Sequence, residues 1–425
     1  MKRRSSRPVS RRAVLKTAAA ATVLASPAAG RSRESRETLR VGLVGCGGRG
    51  TGAAVNALSA DENVKLTAMG DVFADHVDSQ LASLLEVEEV QGKVAVTEDT
   101  KFVGWDAYRH VIANCDVVLL ATSPHFRPLH VAAAVEAGKH LFVEKPVATD
   151  APGVRSVLES CRKAKEKRLS VVSGLCYRYQ NAKRATIQRL RDGAVGEITA
   201  MQCTYNATGL WLRRPPEGVT WSEMERQMRN WLYYTWLSGD HIAEQHIHSL
   251  DKLAWAMDGY PVKCTSSGGR IVRTGEEYGN VYDHFNTVYE WANGVRGFSS
   301  CRQWNDAATD VSDHVFGTRG RADIQSHAIA AGPWKWRYDA EDPDMYQNEH
   351  DALFRAIREG TPINDGEYMC NSTMMAIMGR MSAYTGKRIT WEEAWSSQED
   401  LSPAAYDWDI APEVVVARPG VTQFI

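Results

Sequence analysis

The sequence predicts an α/β protein: an N-terminal Rossmann domain with a doubly wound parallel sheet, followed by a C-terminal α+β domain with a largely antiparallel open sheet. Three observations predict it. A glycine-rich turn joins a β-rich run to an Ala-rich helical run near residue 45. Continuous apolar runs then alternate with helical spacings. Later segments alternate apolar and polar residues, with an Asn-Gly hairpin signal between two of them.

The 425 residues exceed what one ordinary core accommodates. The spacing divides them into 38–175 for the Rossmann domain, 176–400 for the substrate domain and a Pro-containing tail at 401–425, expected to wrap a partner subunit. A net charge of −2 provides no field for gathering nucleic acid or an anionic membrane. No apolar run in the body of the chain approaches the roughly 18–20 residues of a membrane helix. The eight cysteines show no CxxC spacing and read as scattered thiols.

Residues 1–30 follow other rules. Arg3, Arg4, Arg7, Arg11 and Arg12 form a basic start, Ala13 to Ala25 is modestly apolar, and Ser26-Pro27-Ala28 supplies small residues for a signal peptidase. Ser10-Arg11-Arg12-Ala13-Val14-Leu15-Lys16 resembles a twin-arginine signal, with Val14 where Phe is more usual. The expectation is export of a folded protein to the periplasm or another extracytoplasmic space.

In the first domain, Leu39 to Val44 is a strand, and Gly45-Cys46-Gly47-Gly48-Arg49-Gly50 follows before a helix from Thr51 to Leu58. Gly45 permits the tight turn, Gly47 lets the backbone approach a pyrophosphate, and Gly50 lets helix and strand pack closely. The helix N-terminus offers free N–H groups to phosphate. Val64 to Met69 is a second strand, ending at Gly70-Asp71. Asp71 stands where an acid accepts hydrogen bonds from the adenosine ribose. It favours NAD; Arg49 nearby keeps NADP open. Asp116 to Thr122 reads as a buried central strand, Arg127 to Gly138 as a helix, and His140 to Val143 as a strand running into Glu144-Lys145-Pro146.

The glycine fingerprint, Thr122-Ser123-Pro124 with His130 behind it, and Glu144-Lys145-Pro146 together resemble the glucose–fructose oxidoreductase / inositol dehydrogenase (Gfo/Idh/MocA) family, from about Leu39 to about Trp395. The resemblance implies a nicotinamide cofactor held by Gly45, Gly47, Gly48, Arg49, Gly50, Asp71, Thr122, Pro124, His130, Glu144 and Lys145. It also implies pairing of subunits through sheet faces, as a dimer or tetramer.

A charged helix from Gly153 to Lys167 leads to the strand Leu169–Ser173, which Gly174 to Tyr179 continues. Val262 to Thr265, Thr287 to Trp291 and Val295 to Ser299 alternate as half-exposed strands do, and Asn293-Gly294 marks the hairpin. In Ser238 to Asp251 the chain resembles the family's helix in which an acid and a His four residues later face the nicotinamide; here these are Glu244, where Asp is commoner, and His248. Placed on one helix face, they would act with Lys145: His248 as base, Lys145 on the substrate oxygen, Glu244 orienting. A core histidine is the competing reading of His248. His241, Glu244 and His248 do not form H-E-x-x-H, and no metal is assigned.

Tyr205 to Leu237 carries Trp211, Trp221, Trp231 and Trp236 with Arg213, Arg214 and Arg229, which suits either sugar stacking or packing. Tyr177, Arg178, Asn181, Arg229 and Trp231 are the candidate substrate contacts. Met374, Met375, Met378 and Met381 read as a core stripe. The expected activity is hydride transfer between tightly held NAD and a secondary alcohol of a sugar, cyclitol or sugar derivative, since an exported enzyme meets little free NAD. The alternative is a glycoside hydrolase or lyase that oxidises its substrate transiently, eliminates, and reduces it again.

Overall fold

The structure is a computed structural model that describes residues 37–425; the signal read at 1–30 lies outside the described residues. The first sheet contains β1 (Leu39–Val44), β2 (Val64–Asp71), β3 (Lys101–Val103), β4 (Val117–Leu120), β5 (His140–Val143) and β6 (Val171–Ser173). Their order is β3-β2-β1-β4-β5-β6, and every pairing is parallel. All four residues of β4 are buried, as its unbroken apolar run requires of a strand covered on both faces. Strand order reverses between β1 and β4, which opens a crevice at their carboxyl ends.

The second sheet contains β7 (Ile198–Ala207), β8 (Lys263–Gly269), β9 (His284–Glu290), β10 (Arg296–Gln303), β11 (Asp310–Gly317), β12 (Arg321–Asp323), β13 (Ala328–Ala331), β14 (Trp334–Arg337) and β15 (Ile389–Thr390). Its order is β14-β13-β12-β11-β7-β10-β9-β8-β15. Only β7 and β10 run parallel; the other neighbours are antiparallel. Gly294 turns the β9–β10 hairpin at φ 85°, a conformation that favours glycine. The helix Gly366–Thr385 packs against β8 and against the Rossmann helix Ala151–Glu166, and Met374, Met375, Met378 and Met381 are buried along it. All eight cysteines, each among the described residues, are buried and unpaired.

The chain departs from the expected organisation in two places. Cys176–Tyr179 is a 3-10 turn rather than a continuation of β6. The helix Met345–Glu359, numbered within the second domain, crosses back onto the Rossmann domain. There Leu353 and Phe354 share a core with Leu43, Ala53 and Ala57, and Arg358 donates to both oxygens of Asp61 at 2.7 and 2.9 Å. The Rossmann core therefore needs chain from beyond residue 175. Residues 401–408 lie along their own Rossmann domain, where Trp408 packs on Trp105 with ring centroids 4.9 Å apart, while Val415, Ala417 and Gly420 bond Asn280, Tyr282 and Thr385 of the second domain.

Candidate active site

The crevice between β1 and β4 holds a cavity of about 360 Å³, lined by Gly45, Gly47, Gly48, Arg49, Gly50, Asp71, Thr122 and His130 among others. Gly45 adopts φ 97°, and a Cβ there would collide with the backbone of Ala121 and Thr122, so the two turns touch. A Cβ on Gly50 would strike the carbonyl of Gly45. Gly47 and Gly48, by contrast, face open space. Gly47 caps the helix Gly48–Ser59 without a side-chain hydrogen bond, so the helix N-terminus keeps its N–H groups for an anion. Asp71 accepts from the Cys46 N–H at 2.7 Å and the Phe73 N–H at 3.0 Å, which fixes its carboxylate at the cavity. An open glycine cradle, an uncapped helix end and a fixed carboxylate fit a dinucleotide.

Arg49 turns away from Asp71. Its guanidinium bonds the Glu144 carboxylate, reaches Glu349 Oε1 at 3.2 Å, and lies 4.7 Å from the Tyr346 ring centroid. Arg49 thus has two acidic partners at the cavity wall. Burial, then the nearness of Glu144, pushes the Glu349 carboxyl well up.

Glu144 leads directly to Lys145, whose Nζ donates to Glu244 Oε1 at 2.8 Å and to the Glu244 carbonyl at 2.6 Å. Glu244 ends a short helix, His241–Glu244, and His248 is the second residue of the next, Ile247–Met257. The single helix expected here is broken at Gln245, and Lys145 holds the acid while its charge reaches His248. The short helix starts from a left-handed pair, Gly239 at φ 74° and Asp240 at φ 72°. Asp240 is held there because its carboxylate accepts from the Tyr282 N–H at 2.8 Å and the Tyr384 hydroxyl at 2.5 Å. Burial, then the charges of Lys145, Lys252, Lys183 and Arg49, lowers the His248 pKa well below the ordinary histidine value. The ring is therefore neutral, and the same burial and neighbouring cations oppose its holding a proton for long. Among the described residues, no group of three His, Cys, Asp or Glu side chains is placed to share a metal.

Residues 39–173 match the family described as "Oxidoreductase family, NAD-binding Rossmann fold", and residues 184–323 match the "GFO/IDH/MocA C-terminal domain". The chain belongs to the Gfo/Idh/MocA family. It is 26% identical over 340 residues to the inositol 2-dehydrogenase of Cereibacter sphaeroides, covering 76% of this chain and 87% of that one. It is 25% identical over 217 residues to the 2,7-anhydro-N-acetylneuraminate hydratase of Escherichia coli, covering 51% of this chain and 53% of that one. The chain thus spans about half the length of some curated relatives it matches. The fold is similar to that of the aldose–aldose oxidoreductase of Caulobacter crescentus, with TM-score 0.65, 16% identity, and coverage of 83% of this chain and 100% of that one.

Within this Gfo/Idh/MocA framework, the candidate substrate contacts separate. Tyr177 stands edge-on to His248, with ring centroids 5.2 Å apart, and carries the ammonium groups of Lys183 and Lys252 over its ring at 4.3 and 4.6 Å. Arg178 instead forms a two-pronged ion pair with Asp251, both bonds 2.8 Å, between Trp255 and Tyr368. In this structure its guanidinium is taken up by that pairing. Asn181 is exposed at the start of the helix Asn181–Arg191. Arg229 and Trp231 line the dinucleotide cavity. His130 also lines it, stacked on Tyr108 at 4.3 Å, and burial lowers its pKa to about 3. Pro124 is buried at the head of the turn Pro124–Phe126.

Sequence reasoning missed Arg127. Fully buried, it donates to the Thr122 carbonyl at 2.7 Å and the Pro146 carbonyl at 2.9 Å, tying the turn after β4 to the one that carries Lys145. An Arg beginning a helix gives no local sign of such a role. Gln245 was also missed; it accepts from Gln303 Nε2 at 2.7 Å beside Glu244.

Proposed function

We propose that this chain oxidises or reduces a secondary alcohol of a sugar, cyclitol or sugar derivative, using a nicotinamide dinucleotide that it retains between turnovers. The observation that carries this reading is the Lys145–Glu244 pair beside a neutral His248, one residue from the Glu144–Arg49 contact at the wall of the dinucleotide cavity. The Gly45–Gly50 turn and Thr122 would hold the pyrophosphate side of the cofactor, and Asp71 the adenosine ribose. When bound, the cofactor supplies the hydride acceptor or donor.

The chain's own groups handle the proton. His248 accepts it from the reacting hydroxyl on a ring nitrogen. Lys145 donates an N–H from Nζ to the same oxygen and stabilises the negative charge that develops there. Glu244 holds Lys145 in place. The fixed Asp71 carboxylate and the committed Arg49 favour NAD over NADP. The relationship to inositol 2-dehydrogenase supports a polyhydroxylated substrate.

A second reading is prompted by the hydratase relative: oxidation of one hydroxyl, elimination at the neighbouring carbon, addition of water, and return of the hydride. Net redox change separates the two. The test is protein purified without added nucleotide, assayed for bound NAD and then followed by reduced-nicotinamide absorbance against sugars, cyclitols and glycosides. Lasting reduction by a free alcohol supports the oxidoreductase. Product release without lasting reduction supports the second reading, and failure to bind nucleotide overturns both.

Arg11-Arg12 and the small-residue site at Ser26–Ala28 support export to an extracytoplasmic compartment. Exposed Phe298 and Phe316 on the sheet support a homo-oligomer, dimer or tetramer.

A further inference from the structure

The cavity has two walls at its Asp71 end. Phe73 and Trp105 come from the loops after β2 and β3; Trp211, Arg229 and Trp231 come from the aromatic segment 205–237 of the second domain. Two separate ties hold these walls together. The first is Arg229, whose guanidinium lies 4.0 Å from the Phe73 ring centroid and donates to both oxygens of Asp75 at 3.0 and 3.1 Å. Glu225 holds the same guanidinium at 2.8 Å.

The second tie is the segment 401–412. It starts where the Leu401 N–H donates to Asp150 Oδ2 at 3.0 Å. Tyr406 then packs on Phe126 and Trp105, with centroids 5.5 and 5.7 Å apart, and its hydroxyl meets His125 Nε2 at 2.9 Å. Trp408 packs on Trp105 at 4.9 Å and Phe73 at 5.5 Å. Farther on, the Pro412 carbonyl accepts from Gln227 Nε2 at 3.0 Å. Gln227 belongs to the helix Glu223–Arg229, the same helix that carries Arg229. The segment therefore backs the Rossmann wall and fastens it to the opposite one.

We propose that Arg229 and the segment 401–412 together clamp the adenosine end of the dinucleotide site, so that cofactor release requires both ties to open. The inference rests on the reading that a dinucleotide is retained, and it assigns that retention to residues outside the glycine turn and Asp71. A release path blocked at two points makes dissociation, rather than association contacts, the step that the ties govern.

The experiment loads the full chain with NADH and follows reduced-nicotinamide fluorescence after a chase with excess NAD. The wild-type protein is expected to release NADH slowly. Arg229→Ala and Trp408→Ala are each expected to release it about tenfold faster, in keeping with loss of a desolvated cation–π or aromatic contact. Trp408→Phe should restore most of the retention. Because the Asp75 side chain is 61% exposed, added salt should weaken the first tie and speed release from the wild type but not from Arg229→Ala. That comparison needs no unfolding-prone variant. If the wild type retains NADH and both variants retain it equally, the clamp is wrong and the retention reading stands. If the wild type itself exchanges NADH freely, both fall.

Discussion

Lys145 and Glu244 meet twice: the lysine Nζ donates to the glutamate side chain at 2.8 Å and to its main-chain carbonyl at 2.6 Å. The second bond holds the amine to the end of the short helix even when the carboxylate is altered. Glu244→Gln is therefore expected to keep Lys145 near its position while removing the charge that steadies it. Turnover on an alcohol found by the panel should fall by about 10–100-fold, with little change in NADH affinity. Lys145→Met should cost more, on the order of 10²–10⁴. Steady-state kinetics beside an NADH titration separate these effects; a parallel loss of NADH binding would count against a role in proton handling.

Arg127 should be a stability residue whose effect reaches the site. Removing its side chain leaves the Thr122 and Pro146 carbonyls without the donors they have in this structure. Arg127→Met is expected to cost roughly 2–6 kcal/mol, from about 1–3 kcal/mol for each of the two buried carbonyls left unpaired. Denaturant unfolding checks this, and a change below about 1 kcal/mol would mean that water satisfies both carbonyls.

Two glycines of one turn should behave in opposite ways. A methyl at Gly50 meets the Gly45 carbonyl, so Gly50→Ala is expected to lower the melting temperature. Gly47 faces open space, so Gly47→Ala should melt like the wild type yet bind NADH at least tenfold more weakly, the pyrophosphate being crowded. Calorimetry with and without NADH distinguishes them.

Asp71 is fixed by two backbone N–H groups, and Arg49 is paired with Glu144 and Glu349. Asp71→Ser is expected to weaken NADH binding and to narrow its advantage over NADPH, measured by paired titrations. An unchanged ratio would place cofactor choice elsewhere.

Acid should destabilise the fold through its buried histidines. Burial lowers the pKa of His125 to about 4, and of His130 and His241 to about 3, against about 6.5 in the unfolded chain. Between those values the unfolded chain binds more protons, so stability falls as pH drops below about 6.5 and the loss continues toward pH 4. Each histidine contributes up to ~1.4 kcal/mol per pH unit in that window. Unfolding free energies at pH 7.5, 6 and 5 test the sign; a flat profile would mean these rings gain partners on protonation.

Much of the site was legible because its signals are local. The steric demands of Gly45 and Gly50 act within one turn, and Lys145 follows its strand directly. The helix break at Gln245 was not legible. The i,i+4 spacing of Glu244 and His248 reads as one helix; the break falls where Gln245 meets Gln303 and His246 meets Ser299, residues that lie far along the chain. The Asp partners of Arg178 and Arg229 were not legible for a related reason: a long cation looks alike in sequence whether its carboxylate is a substrate's or that of Asp251 or Asp75.

The sequence by itself determined the alternation of strands and helices, the phosphate-binding turn, the Asn293-Gly294 hairpin and the Met core stripe. Each depends on backbone conformation or on side-chain period over a few residues. Tertiary structure alone decided that Arg127 joins two turns, that Met345–Glu359 completes the Rossmann core, and that segment 401–412 backs the cofactor cavity. Those pairings bring together groups separated by long stretches of chain. Their partners are chosen by packing and by the need to satisfy buried polar groups, and neither leaves a periodic mark in the residues concerned.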